Sequence, residues 1–172
     1  MRDVLQFLPG VFDQKIRKIV MNKSYRNTME IARYAEKLTG VKDVELLKRH
    51  GKEVVEEQFQ TEDAVLDEIL SKAKLGEDEY ETAAIITMTE AEASTLYQIL
   101  KARGEEVHYI DRNSSVFKKG LTVTTFYLAK GLEFDQVFGI FEEDRESGLQ
   151  CQAKYITATR ALHELHMYMT EN

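Results

Sequence analysis

Apolar positions along the chain recur with two periods, and the helical one is set off by the same punctuation each time. Asn27 is a candidate N-cap with Glu30 three residues on, and Ile31, Tyr34, Ala35 and Leu38 follow at i, i+3, i+4 and i+7 before Gly40. Thr61 opens a second helix with Glu62 and Asp63 in its first turn. Leu66, Ile69, Leu70 and Ala73 form its stripe, and Gly76 is its expected stop. Thr89, with Glu92 in the capping-box position, opens a third, in which Ala93, Leu96, Tyr97 and Leu100 precede Gly104. A fourth is expected over about 148–163, with Cys151, Tyr155, Ala158 and Leu162 on one face.

Short β-like runs lie between these helices: Arg17–Met21, Thr82–Met88, Val107–Ile110, Leu121–Phe126, Gln136–Phe141 and Leu165–Met169. Several are continuously apolar, as in a sheet covered on both faces. Strands alternating with helices predict βαβ units and a three-layer α/β/α domain around a mainly parallel sheet. Between 41 and 60, Val44-Glu45-Leu46 and Val54-Val55-Glu56 flank His50-Gly51 and predict two short edge strands. Pro9 is the single proline, which suits a chain of regular elements.

Composition narrows the class. At 172 residues with 43% apolar content, the chain can bury one core. No apolar run approaches the roughly 18 residues of a membrane span, and the N-terminus lacks a signal peptide's apolar core. The lone Cys151 excludes an internal disulfide and a thiolate zinc cluster, so a reducing, cytoplasmic setting is expected. A net charge of −7 argues against coating nucleic acid by charge alone. That charge is uneven: residues 1–26 sum to +4 and residues 27–81 to −7, so a basic leading edge can still meet an anion.

The chain has neither G-x-x-x-x-G-K-[ST] nor G-x-G-x-x-G, so it cannot cradle a triphosphate in a P-loop by itself. Asp67-Glu68 sits within an amphipathic helix, as a solvated face does, and the four histidines show no metal-ligand spacing. No metal ligand is assigned. Three segments carry information: Ser24-Tyr25-Arg26-Asn27-Thr28, the run from Thr124 to Asp135, and Tyr155-Ile156-Thr157-Ala158-Thr159-Arg160-Ala161. Singly, each has an ordinary reading. An arginine beside a helix start is a surface charge, Gly131 a turn, and Glu133 a solvated acid.

As an ordered set they resemble the second RecA-like motor domain of the UvrD/Rep class of superfamily 1 helicases. Tyr25 to Thr28 resembles motif IV, Thr125 to Phe134 (T-F-Y-L-A-K-G-L-E-F) motif V, and Tyr155 to Ala161 motif VI. The resemblance covers nearly the whole chain from Phe7. Tyr127 stands where the family usually has histidine, and Thr157 where it has alanine. Only about ten residues separate Ile110 from Leu121, where UvrD and Rep carry a large accessory domain. With Y-L-A-K-G-L-E-F-D and T-R-A-L-H-E-L, this is most similar to the helicase IV/HelD branch. Some members of that branch act on RNA polymerase instead of unwinding DNA.

The resemblance implies a RecA-like domain, a single unit over 1–172 and a fragment of a larger chain. An N-terminal RecA-like domain of the same parent would bind most of the ATP and its Mg2+. Arg26 and Arg160 would reach the γ-phosphate as arginine fingers. Gly131, Glu133 and Tyr25 would contact the nucleotide, Glu133 at the ribose. Thr125, Tyr127 and Lys130 would face single-stranded DNA. The implied activity is ATP-dependent helicase or translocase action, with the isolated domain inactive. An RNA polymerase-remodelling module of HelD type, with polymerase as partner, is the alternative.

Overall fold

The computed structural model describes residues 23–24, 26–40, 45–46, 48–76, 79–114, 118–142 and 147–170. The strand expected over Arg17–Met21 and the candidate Tyr25 lie outside them. The helices are α1 (Met29–Thr39), α2 (Glu62–Lys72), α3 (Glu90–Ala102) and α4 (Gly148–Ala158). The strands are β1 (Lys23–Ser24), β2 (Glu45–Leu46), β3 (Val55–Phe59), β4 (Thr82–Thr87), β5 (Val107–Tyr109), β6 (Gly120–Thr125), β7 (Phe134–Glu142) and β8 (Ala161–Thr170).

Six strands form one sheet in the order β3-β8-β7-β4-β6-β5, and β1 pairs with β2 apart from it. All pairings are parallel. Side chains on successive strand residues point to opposite faces, so the apolar strands feed two cores. Ile86 packs with Ile31 and Ala35 of α1 and Ala153 of α4. Its neighbour Ile85 packs with Leu66 and Ile69 of α2 and Leu96 and Leu100 of α3. Both isoleucines are fully buried, each stabilising by roughly 1.5–3 kcal/mol. The result is the three-layer α/β/α arrangement of a RecA-like domain.

Several local expectations are corrected. Thr28, not Asn27, caps α1, its hydroxyl accepting from the Ile31 N–H. Glu30 makes no capping box; its carboxylate accepts from the Gly51 N–H and pairs with His50, drawing the 49–51 segment onto the helix start. Helix α2 ends at Lys72, short of Gly76, because Ala73 is already extended. The capping box of Thr89 and Glu92 forms as the spacing implies. Of the two edge strands, only Val55–Phe59 enters the main sheet, beside β8. Glu45–Leu46 pairs with β1 instead.

The largest correction is at the C-terminus. Helix α4 stops at Ala158, and β8 begins at Ala161. The Thr159 hydroxyl turns back onto the Ile156 carbonyl, a local bond that competes with helix continuation. The Phe134 N–H then takes the Arg160 carbonyl and starts the β7–β8 ladder. Arg160 therefore sits in a turn, not on a helix. The face of α4 turned inward is Gln150, Ala153, Ile156, Thr157 and Ala158, while Cys151 and Tyr155 face outward.

Candidate functional site

Three junctions meet where β7 and β8 begin. The segment before α1 brings Arg26, the link from β6 to β7 brings Lys130, Gly131 and Glu133, and the turn before β8 brings Arg160. A cavity of about 310 Å³ opens among them. It is lined by Arg26, Lys130, Gly131 and Arg160, by Ile31, Ala35 and Glu36 of α1, and by Tyr155 and Ile156 of α4.

Both arginines thus face one cleft, and their chemical states differ. Arg26 is exposed, and its Nη1 donates to Glu133 Oε1 at 2.7 Å. Arg160 is half-buried. It donates to the Leu132 carbonyl at 3.1 Å, to Thr159 Oγ1 at 3.2 Å and to the Ile156 carbonyl at 3.3 Å. Among the described residues these neutral oxygens are its hydrogen-bond partners, and no carboxylate pairs with it. Burial, and then the neighbouring Arg26, hold its guanidinium below the ordinary arginine value, while Glu133 acts in the opposite sense. A second positive charge held in place without its own anion is suited to receive one.

Gly131 has φ of 87°, in the left-handed region, and a Cβ there would meet open space. The backbone turn needs glycine, and the cleft wall stays low beside it. Glu133 does not stand free as a solvated acid; it is engaged by Arg26.

The link over 126–133 runs from the end of β6 to the start of β7 without a helix, with Ala129 buried beneath it. It therefore touches two clefts. Tyr127 is 60% exposed, with Lys130 Nζ 4.8 Å from its ring centre. Thr125 and Tyr127 edge a second cleft of about 410 Å³ with Met88, Glu90 and Arg112. Thr125 itself is buried, and its hydroxyl accepts from the Leu128 N–H, so it fixes the turn from below. Lys130 lines the first cleft while sitting over the ring that edges the second.

Sequence reasoning missed two groups beside this site. Asn27, read as a cap, donates its Nδ2 to the carbonyls of Ala161 at 2.6 Å and Thr159 at 3.4 Å, tying Arg26's segment to Arg160's turn. Glu164 of β8 is buried and carries a cluster of its own. It takes Lys52, Lys74, Tyr80 and Gln136, and burial is outweighed by these bonds, so its carboxyl is lowered to about 2. A glutamate in a run of apolar residues, L-H-E-L, was the available signal for it.

No family model matches the chain, and no curated protein matches it. Among solved structures it is similar to the C-terminal domain of a possible DNA helicase from Lactobacillus plantarum WCFS1. The two are 29% identical with a TM-score of 0.64, and the likeness covers 86% of this chain and 88% of that one. Among the described residues no helix is long and apolar enough to cross a membrane, and no group of three His, Cys, Asp or Glu residues is placed to hold a metal ion.

Proposed function

We propose that this chain is the C-terminal motor domain of an ATP-dependent DNA helicase or translocase of the UvrD/Rep class. It supplies half of a nucleotide site that an N-terminal RecA-like domain of the same parent completes. The observation that carries the reading is the shared cleft: Arg160, without an anionic partner among the described residues, and Arg26 face it together beside Gly131. The likeness to a possible DNA helicase's C-terminal domain supports the class.

Phosphoryl transfer asks little covalent chemistry of the protein and much charge neutralisation. The planar forks of Arg26 and Arg160 meet that need from across the cleft. The Arg26–Glu133 pair gives the domain a resting arrangement. A phosphate entering the cleft competes with Glu133 for Arg26, and the released carboxylate can then accept from a ribose hydroxyl. ATP with Mg2+ fits the residues present, with its metal and most ground-state contacts on the partner domain. Closure on the nucleotide and reopening after hydrolysis would move a strand held at Tyr127 and Lys130. The polymerase-remodelling alternative uses the same cleft and differs in what stimulates it.

The test is ATP turnover by the two-domain protein, with single-stranded DNA or RNA polymerase added. DNA stimulation supports the helicase reading, and stimulation by polymerase alone supports the alternative. Arg160→Ala is expected to cut turnover at least about a hundredfold, a lower bound on what finger removal costs, with ATP affinity much less changed. Arg160→Lys should not rescue. Normal turnover by Arg160→Ala defeats the assignment, as does DNA-stimulated turnover by the 172-residue chain alone.

A further inference from the structure

Two residues at the tails of the motifs, Asp135 after A-K-G-L-E-F and His163 after T-R-A-L, are unused by the reading above. The structure joins His163 to Arg26 through a residue that no motif contains, with Asp135 nearby. Arg49 Nη1 donates to the Arg26 carbonyl at 3.3 Å, and Arg49 Nη2 lies 2.6 Å from His163 Nδ1. A guanidinium can only donate, so His163 Nδ1 is the acceptor and the ring hydrogen is on Nε2. That nitrogen is 3.4 Å from the same Arg49 Nη2 and 3.6 Å from Asp135 Oδ1, the latter longer than a hydrogen bond. The other oxygen of Asp135 accepts from Glu81 N, Thr82 N and Thr82 Oγ1, which anchors it at the start of β4. Tyr80 stacks on the His163 ring, centres 5.5 Å apart and planes 14° from parallel. Meanwhile the Arg49 carbonyl accepts from the Met29 N–H at 2.8 Å, so Arg49 grips the segment on both sides of Asn27-Thr28.

We propose that Arg49, held by His163, is a positioning residue that fixes the backbone of Arg26 and aims its guanidinium into the cleft. The inference rests on the role proposed for Arg26. It follows from the physics of a long exposed side chain: among the described residues Glu133 alone holds the head of Arg26, so its reach is set by where its backbone sits. The Arg49–His163 bond ties that backbone to the rim of β8, the strand that follows Arg160. Arg49 touches no nucleotide in this scheme.

The experiment measures ATP turnover and melting temperature in the two-domain protein for Arg26→Ala, Arg49→Ala, His163→Phe and His163→Gln. Arg49→Ala is expected to lower kcat about tenfold to a hundredfold, the range for a misplaced group, with KM for ATP within about twofold. His163→Phe keeps the stack on Tyr80 but offers no acceptor, and should lose as much. His163→Gln offers a carbonyl to Arg49 and should recover most of the turnover. The double variant Arg49→Ala with His163→Phe should be no worse than either single one. If Arg49→Ala turns over normally while Arg26→Ala does not, the positioning role is wrong and the nucleotide reading stands. If Arg26→Ala itself turns over normally, the nucleotide reading falls first. Equal losses for Gln and Phe at 163, tracking a fall in melting temperature, would mean the bond serves stability alone.

Discussion

Two charged regions share the rim where the strands begin, and they are built to opposite ends. At Glu164 one buried carboxylate is met by Lys52, Lys74, Tyr80 and Gln136. The tyrosine is drawn up to about 12 by burial and by that carboxylate. A few residues away, Arg26 and Glu133 make one half-exposed pair, and Arg160 has no carboxylate among the described residues. The first region already balances its carboxylate with two lysines and a tyrosine hydroxyl. The second keeps an excess of positive charge that a ligand can satisfy. Burial with full pairing locks a site, and partial exposure with an incomplete pair leaves it open.

The contrast is sharpest in Glu164→Gln. Removing the charge weakens the bonds of Lys52, Lys74 and Tyr80 to it, and since both lysines reach solvent the loss expected is about 1.5–3 kcal/mol for each charge-assisted bond weakened. Chemical denaturation of the isolated chain measures it. The wild-type carboxyl is lowered from 4.5 to about 2, so its contribution is fully present above about pH 4.5 and is lost as pH falls towards 2. The variant should lose that acid dependence, and an unchanged acid limb would show that Glu164 is not the group responsible.

Gly51→Ala probes the scaffold between the two regions. A Cβ at Gly51 would lie 2.4 Å from Thr28 Cγ2 and 2.9 Å from Thr28 Cβ, so the cap of α1 must shift. The expected loss is about 1–3 kcal/mol, as for other overpacked sites. A melting temperature unchanged from wild type would mean that the 49–51 segment is free to move away from α1.

The smallest effect is expected at Glu133→Gln. An exposed ion pair contributes roughly 0–1 kcal/mol, so the melting temperature should move by no more than about 2–4 °C. Freed from its carboxylate, Arg26 should bind inorganic tripolyphosphate more tightly, read by calorimetry on the isolated chain. A stability loss as large as that of Glu164→Gln would erase the distinction between the two regions.

Much of the fold was legible because its signals are local. Thr61 and Thr89 cap their helices as their spacing implies, and the apolar runs at Ala83–Ile86 and Val137–Phe141 are strands covered on both faces. Legibility failed where a distant partner decided. Beside Arg160 the Thr159 hydroxyl offers a local stop, and the bond from the distant Phe134 N–H to the Arg160 carbonyl makes the turn into β8. Asn27 has the chemistry of a cap, but two carbonyls from the start of β8 compete for it and win.

The sequence by itself determined the alternation of helices and strands, the three motif segments and the absence of a P-loop motif, since each depends on residues within a few positions of one another. Only the tertiary structure decided that Arg26 and Arg160 face one cleft, that Glu133 is already paired, and that Arg49 reaches the Arg26 carbonyl. The Arg26–Glu133 pair joins positions 107 residues apart. Their geometry is set by strand order and register, and no local pattern of polar and apolar residues specifies which loops a parallel sheet will bring to the same rim.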